Sequence, residues 1–534
     1  MHLRVFSLSS ILKSIYKRMS MQTQSLPNSM SFKHFLFKTK RNRITLLISF
    51  GLIIIQFSIF KYFYPYASFI HDDSFSYLEA ARDNSSINHY LVGYSNFLRL
   101  FSVFTKSDLI LVTFQYIFLH CSVLFFLFSI FYIYQVPKYT KIILLCFMTL
   151  NPLFWHLGNL ISSDCIFVAI SFLWFTSLIW FIHNPNKGMI AFHMLLLFIA
   201  FTLRYNALLY PFISLSVLLA SKAKRSQKLV GLVALIVLCG GFVSFTANKY
   251  KQLTGTWQYS PFSGWQWANN AMYTYRFVKK EKRKPVPQKF KELDNMVREY
   301  FDSTRDIRKH PQEALMASTV YMWEPQSTLF KFQDKQFLND TSAKDLKKWA
   351  SVAPFYKSYG QYIILQYPGY FLKYFIWPNA QKYYAPPIEF LDGYNCYRLG
   401  VLQIAQDWFE YGDKVVKPRF NNYVAWELRF YPIFTGVINV FMLLSLLLLA
   451  FMKVQVSPLK IITLGAVIWF SNAAFTITAS SAALRFQSFP ILLTTVVAVI
   501  NISLIISFCA NESKDSKNKL TELHFDPTLS HTII

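Results

Sequence analysis

Ten stretches of mostly apolar residues constrain the fold of this chain more than any other feature of its sequence. A membrane-spanning helix needs about 20 apolar residues, and each stretch is close to that length. Hydrophobic residues make up 54% of the chain and charged residues only 15%, which is too apolar for a soluble multidomain protein. The predicted fold class is an all-α polytopic membrane protein with about ten transmembrane helices. The candidate spans are 44–64, 108–134, 141–157, 164–182, 188–203, 206–221, 228–246, 432–452, 459–477 and 486–508.

The formal net charge of +27 comes largely from basic residues that lie between the apolar stretches and in a terminal tail. This placement fits anionic lipid headgroups and membrane topology signals, so nucleic acid is not an expected partner. The short connections 135–140, 183–187, 222–228 and 453–458 are basic and nearly free of acid. The positive-inside rule therefore predicts that both termini are cytoplasmic and that the long region 247–431 lies on the opposite side of the membrane.

The apolar stretches divide the chain into five predicted segments. Aromatic residues and prolines alternate from Tyr362 to Pro387, which predicts helices lying in the membrane interface. Five of the six cysteines lie inside apolar stretches, so neither a disulfide framework nor a thiolate metal site is expected. The segments are a basic cytoplasmic arm (1–43), a transmembrane module (44–246) with first outer loop 65–107, an extracytoplasmic region of mixed or mostly helical structure (247–431), C-terminal transmembrane helices (432–510) and a cytoplasmic tail (511–534).

The first outer loop carries two adjacent carboxylates, Asp72 and Asp73, at the start of a short predicted helix. Asp is a preferred N-cap residue and is favoured near the positive end of a helix, so a capping role accounts for the pair without any chemistry. A catalytic base is the alternative interpretation.

Three further ionisable residues are predicted at the same membrane face: Asp164, Arg204 and Arg485 lie at the outer ends of apolar stretches. An ionisable group at a membrane helix end is costly unless it is solvated or paired, so a set at one depth is a functional-site hypothesis. The alternative for each arginine alone is that its side chain reaches up to lipid headgroups.

Several short motifs resemble those of the GT-C glycosyltransferases. The chain is most similar to bacterial members related to the protein mannosyltransferases and to the aminoarabinose transferase of lipid A, including the ArnT-like and RgtA-like groups. The resemblance covers roughly 44–246 and 432–508, and it departs at Phe486, where many relatives have Tyr. The motifs are Asp73 with Tyr77 and Ala81, Asn151-Pro152 followed by Ser162-Ser163-Asp164, Leu203-Arg204-Tyr205, and Leu484-Arg485-Phe486 with Pro490.

The resemblance implies an inverting transfer of a sugar from a polyprenyl-phosphate carrier to a lipid, glycan or protein acceptor on the extracytoplasmic side. It implies Asp73 as the base, with Asp72 as second choice, and Tyr77 among the residues that contact the substrate. Arg485, and next Arg204, would grip the carrier phosphate, because a guanidinium stabilises its developing charge. Localisation in a bacterial inner membrane is preferred to the endoplasmic reticulum.

Other candidate roles remain open in the sequence. Asp164 has four candidate roles: it could orient an arginine, hold a divalent ion, bind acceptor hydroxyls or cap its helix. The candidates for stacking on a sugar and hydrogen bonding to it are Trp265, Trp267, Asn269 and Asn270, but an interfacial aromatic belt explains them equally well. Paired carboxylates near a phosphate suit Mg²⁺ or Mn²⁺, although no cofactor is required.

Three rival functions remain. A transporter or flippase for lipid-linked sugars would also place Arg near a phosphate, but it favours broken helices in paired repeats with polar groups at the midplane. An O-antigen polymerase or ligase is also polytopic, but is not expected to carry its key acid in the first outer loop. The third rival is a membrane anchor or scaffold for partner proteins, in which the charges clustered at the outer face would have no role.

Overall fold

The described part of the protein is helical. The computed structural model describes residues 30–70, 72–134, 136–303, 305, 318–451, 458–479 and 482–524. These residues contain no strand, and their β-type pairing is confined to three isolated bridges, Ser68 with Leu160, Gly393 with Val424, and Gly400 with Val415. The prediction of an all-α chain is confirmed at this level, and the described residues of the region 247–431 form helices with irregular connections and no strand.

The first half of the described chain is a series of helices joined by short connections. A π-helical turn, Ile236–Gly240, joins α11 to α12 without a break, and a 3₁₀ turn, Tyr205–Leu209, leads into α10. The helices are α1 (Phe32–Phe37), α2 (Lys40–Phe63), α3 (Asp73–Arg82), α4 (Gly93–Ser102), α5 (Asp108–Ile133), α6 (Lys138–Thr149), α7 (Pro152–Asn159), α8 (Ser163–His183), α9 (Lys187–Leu203), α10 (Tyr210–Ala220), α11 (Arg225–Leu235) and α12 (Gly241–Thr254).

The second half begins with shorter helices and ends with three long apolar ones. A π-helical turn, Leu372–Ile376, joins α18 to α19. The helices are α13 (Pro261–Tyr275), α14 (Lys291–Asp302), α15 (Val320–Trp323), α16 (Thr328–Gln336), α17 (Asp345–Gln366), α18 (Pro368–Phe371), α19 (Trp377–Tyr384), α20 (Gln403–Phe409), α21 (Tyr431–Phe451), α22 (Leu459–Ala479) and α23 (Ser488–His524).

Eight helical segments in the described chain are long and apolar enough to cross a membrane, whereas the sequence predicts ten. The two remaining predicted spans are apolar but shorter, Lys187–Leu203 and Tyr205–Ala220. A polytopic membrane protein is therefore the supported fold class. The eight segments are Lys40–Phe63, Asp108–Ile133, Lys138–Asn159, Ser163–His183, Arg225–Thr254, Trp426–Phe451, Leu459–Ala479 and Ser488–Ala510.

Helix boundaries follow local chemistry more closely than the apolar pattern does. The span predicted at 141–157 is interrupted, because the Asn151 side chain accepts from the Leu153 amide and Pro152 starts a new helix; proline is tolerated there since its missing N–H would be unpaired anyway. Ser162 and Asn186 cap α8 and α9 in the same way. No such signal follows residue 246, and the helix continues to Thr254.

The predicted extracytoplasmic region divides into two parts with different cores. Helices α13 to α17 enclose an apolar core of their own, built around aromatic residues such as Trp265, Tyr300 and Tyr356. The later part packs instead on the core of the apolar bundle through residues such as Leu391 and Leu428. Between them, α18, the π-helical turn and α19 form a continuous segment with exposed large apolar side chains, Leu372 of the turn being 60% exposed and Trp377 of α19 62% exposed. An interfacial location for these two helices stays a prediction.

Helices α13 and α17 pack closely because each presents a glycine to the backbone of the other. A Cβ on Gly264 would lie 2.1 Å from the carbonyl oxygen of Ala353, and one on Gly360 would lie 2.4 Å from the carbonyl oxygen of Trp267. Neither position has room for a methyl group. The pair therefore forms a rigid unit that fixes which residues of α13 face outward.

We predict that Gly264→Ala lowers the free energy of unfolding of the purified protein by about 1–3 kcal/mol, because overpacking forces two backbones apart. Gly369→Ala is the matched control, since a Cβ there meets nothing within 4 Å and alanine is the better helix former. Thermal unfolding in detergent measures both. Equal stability of the two variants would contradict the close packing of α13 on α17.

Candidate functional site

Backbone pairing holds the loop before α3 against the loop before α8. The amide of Ser68 donates to the carbonyl of Asn159 at 2.8 Å, and the amide of Ile161 donates to the carbonyl of Ser68 at 2.9 Å. The Ser74 hydroxyl adds a bond to the carbonyl of Ile161 at 2.7 Å. The N-termini of α3 and α8 therefore lie side by side, although 90 residues separate them in sequence.

Asp73 lies in the first turn of α3 and accepts hydrogen bonds on both carboxylate oxygens. The Tyr90 hydroxyl donates to Oδ1 at 2.6 Å, and the guanidinium of Arg485 donates to Oδ2. Arg485 is positioned by its own backbone, because the amide of Leu484 donates to the carbonyl of Pro387 at 2.9 Å. The carboxylate is thus engaged by a buried cation rather than by the backbone of its helix.

Asp164 connects the two arginines. Its carboxylate accepts from the guanidinium of Arg204 and from the Ser162 hydroxyl, and its Oδ2 lies 3.4 Å from Nε of Arg485. Among the roles open to Asp164, orienting an arginine is the one that these contacts show. The result is an alternating row of charges, Asp73, Arg485, Asp164 and Arg204, which we call the charge row.

The ring of Phe486 lies near both guanidinium groups. Its centroid is 4.5 Å from Cζ of Arg485 and 5.2 Å from Cζ of Arg204, and Phe390 lies 5.1 Å from Cζ of Arg485. An aromatic ring attracts a cation through its negative face. The aromatic ring of Phe486 therefore contacts both cations of the charge row.

The charge row is buried and formally neutral. The Arg485 side chain is only 4% exposed, and that of Asp164 is 0% exposed. Burial opposes the positive charge of Arg485, but Asp164 and Asp73 outweigh it and hold the pKa of the guanidinium above its usual value. Burial also raises the pKa of Tyr77 to about 12, so this hydroxyl stays protonated and can share a hydrogen bond with the Ser163 hydroxyl, 3.1 Å away.

The charge row opens on a cavity of about 1140 Å³. Of the residues singled out in the sequence, Asp72, Asp73, Tyr77, Arg204 and Arg485 line it. Asp164 is not among the lining residues and lies behind the two arginines. The cavity is bounded on the opposite side by α13 and α17, so the apolar bundle and the second core both contribute to it.

Trp265 and Asn269 do not line this cavity. The Trp265 indole donates to the carbonyl of Trp349 at 2.9 Å, inside the second core, and the Asn269 amide donates to the carbonyl of Ser318 at 2.8 Å. The residues of α13 that do line it include Gln266, Trp267 and Asn270. The four α13 residues singled out in the sequence therefore divide: Trp267 and Asn270 line the cavity, whereas Trp265 and Asn269 lie on the packed face, because the contact with α17 decides the orientation of the helix.

Asp72 lines the cavity with an unusual backbone. It stands at the N-cap position of α3, yet its side chain makes no capping hydrogen bond, and its φ of 69° with ψ of −53° is the rare, strained γ-turn conformation. The capping interpretation of this acid is therefore not supported by its geometry. Strain of this kind costs about 1–3 kcal/mol and often occurs at functional sites.

Two contributors to the site have no signal in the sequence. Tyr90 and Phe390 reach Asp73 and Arg485 from loops whose local patterns predict nothing about them. The described residues contain no group of three or more His, Cys, Asp and Glu side chains that could hold a metal ion. Binding of Mg²⁺ or Mn²⁺ by fewer ligands and a phosphate stays a prediction.

Comparison with protein-family models, with curated proteins and with solved structures finds no match for this chain.

We predict that Asp72→Gly is more thermally stable than Asp72→Ala, by about 1 kcal/mol, because glycine adopts positive φ without strain. Both variants lose the carboxylate and its interactions, so the difference between them reports the backbone alone. Thermal unfolding of the two proteins in the same detergent measures it. An alanine variant as stable as the glycine variant would show that residue 72 is unstrained.

Proposed function

We propose that this chain is an integral-membrane, inverting glycosyltransferase of the GT-C type. It moves a sugar from a polyprenyl-phosphate carrier to a lipid, glycan or protein acceptor on the extracytoplasmic side. The observation that carries the proposal is the charge row, in which the buried Arg485, the partly buried Arg204 and one accessible carboxylate meet at the end of an apolar bundle and open on a large cavity.

A second crevice, of only about 20 Å³, lies beside the main cavity between α10, α22 and α23, at the level of apolar residues such as Ile213 and Ile468. Asn206 and Phe486 line both this crevice and the main cavity. The crevice is too small to hold a prenyl chain. A carrier whose chain lies on the apolar surface outside it would present its phosphate beside Phe486, where the two guanidinium groups lie.

The arginines have the hydrogen-bonding capacity that a phosphate requires. Nε and Nη1 of Arg485 have no hydrogen-bond acceptor among the described residues, although Asp164 lies near Nε. Guanidinium groups bind phosphate oxygens through short, charge-assisted hydrogen bonds. Because the charge row is neutral without substrate, an arriving phosphate competes with Asp73 for Arg485.

That competition frees the base at the moment it is needed. Once Arg485 turns to the phosphate, Asp73 can accept the proton of the acceptor hydroxyl, while Tyr90 continues to hold its other oxygen. The acceptor oxygen attacks the anomeric carbon from the face opposite the phosphate, and the bond from that carbon to the phosphate oxygen breaks. The leaving polyprenyl phosphate takes the electron pair and gains charge, which Arg485 and Arg204 stabilise.

The proposed reaction takes place in a cavity outside the cytoplasm. The basic, acid-poor connections favour cytoplasmic termini, and the cavity lies at the end of the bundle away from the connection 222–228 and beside the region 247–431. On this basis we propose a multi-pass protein of a bacterial inner membrane. The charge row at one end of the bundle fits a surface reaction better than the midplane site of a transporter.

Asp73→Asn is expected to reduce sugar transfer by about 10²- to 10⁴-fold, because an amide cannot accept the acceptor proton. The assay uses the purified protein in nanodiscs, a panel of synthetic polyprenyl-phosphate sugars, and membranes of the source cells as acceptor. Asp83→Asn is the matched control, since Asp83 is exposed and pairs with Arg82 away from the charge row. Transfer unchanged by Asp73→Asn would remove this residue as the base, and carrier binding without any transfer by the wild type would favour a transporter.

Arg485→Ala should weaken binding of decaprenyl phosphate about tenfold or more, since it removes charge-assisted hydrogen bonds to the phosphate. Its affinity for decaprenol, which lacks the phosphate, should stay that of the wild type and so report an intact fold. Arg429→Ala is the control, because Arg429 is exposed and stacks on Trp426. An equal loss of affinity for both ligands, or no loss of affinity for either, would contradict a phosphate-binding role for Arg485.

A further inference from the structure

We infer that the acceptor is a saccharide, held against the wall of the cavity formed by α13, α15, α17 and the segment before α13. This inference rests on the proposed function and narrows its acceptor from a lipid, glycan or protein to a glycan. We call this surface the polar wall. It lines the same cavity as the charge row, so one substrate can touch both.

The polar wall is rich in neutral hydrogen-bonding groups. Its side chains are amides and hydroxyls, which donate and accept with the hydroxyls of a sugar equally well. Among its described residues Lys357 is the one charged side chain, and it is exposed. The neutral polar residues are Gln258, Ser260, Ser263, Gln266, Asn270, Ser358 and Gln361.

Gln266 shows that the polar wall is built for a ligand. It is 6% exposed and lines the cavity, and its amide nitrogen donates to Oδ1 of Asn270 at 2.7 Å. That bond fixes the orientation of the side-chain amide, and its oxygen has no donor among the described residues. A buried acceptor left without a donor is costly, and a ligand hydroxyl would satisfy it.

Three tryptophans give the same surface apolar faces. Trp257, Trp267 and Trp323 all line the cavity, and none of their indole N–H groups bonds to a described residue. A tryptophan joins a flat apolar ring to one polar donor, which matches a sugar ring with its C–H face and its hydroxyl edge. A lipid acceptor needs no row of amides, and an anionic acceptor would need more cations than Lys357.

The polar wall begins beside the proposed base. The ring of Tyr90, whose hydroxyl bonds to Asp73, lies 6.1 Å from the ring of Trp323 and 6.5 Å from that of Phe262. A sugar stacked on Trp323 therefore has a hydroxyl within reach of the carboxylate. An acceptor bound at the polar wall needs no rearrangement of α13 or α17 to react.

Linkage analysis of the product tests the acceptor class directly. The purified protein transfers tritiated sugar from synthetic polyprenyl-phosphate hexoses and pentoses to membranes of the source cells. We expect the label in a glycosidic bond to another sugar. Label on a Ser or Thr hydroxyl, released by β-elimination, or on a lipid headgroup would overturn the inference while leaving the proposed function intact. Absence of any transfer would overturn both.

Variants of the polar wall test its location. Trp267→Leu should raise the KM for acceptor membranes about threefold to tenfold, which corresponds to the free energy of one aromatic contact. Trp267→Phe should return the KM most of the way to the wild-type value. Trp377→Leu is the matched control, because Trp377 is exposed on α19 and does not line the cavity. If Trp267→Leu keeps the wild-type KM while Asp73→Asn abolishes transfer in the same assay, the polar wall is not the acceptor site. The proposed function would still stand.

Discussion

The cost of burying charge in an apolar bundle governs this structure. A guanidinium as buried as that of Arg485 is tolerated only with a carboxylate in contact, and Arg485 has two, Asp73 and Asp164. Asp164 is in turn shared with Arg204. Four residues from distant parts of the sequence must therefore meet before any one of them can be buried. That requirement holds together four parts of the chain: the start of α3, the start of α8, the residue before the 3₁₀ turn that follows α9, and the segment before α23.

The same neutrality makes the charge row responsive to an anion. Removing one charge from a buried pair leaves the partner uncompensated, whereas a phosphate can replace a carboxylate on an arginine at little net cost. Asp73 is the member that can be replaced, since its side chain is 19% exposed while that of Asp164 is 0% exposed. Asp164 stays with both arginines and keeps them in place. The arrangement therefore separates a fixed carboxylate from one that an arriving anion could displace from Arg485.

Local sequence information predicts the helices and the charged members of the site, and it fails where packing decides. Long apolar stretches have few alternatives to a spanning helix, and an ionisable residue at the end of such a stretch needs a partner, so Asp164, Arg204 and Arg485 stand out. Asp73 stands out instead through the motif that it shares with Tyr77. The interruption at Asn151-Pro152 and the continuation of α12 to Thr254 depend on single residues. Which face of α13 lines the cavity depends on Gly264 and Gly360, whose close contacts join segments about 90 residues apart.

Tyr90 links the two cores at the point where the chemistry would occur. It packs beside the bundle core, its hydroxyl bonds to Asp73, and its ring lies near Trp323 and Phe262, which pack on the second core. A shift of α13 and α15 relative to the bundle would therefore move the ring that orients the carboxylate. Because a misplacement of about 1 Å can cost 10²-fold in rate, the second core controls the geometry of Asp73 without contacting it, and the rigid glycine contacts between α13 and α17 keep that geometry fixed.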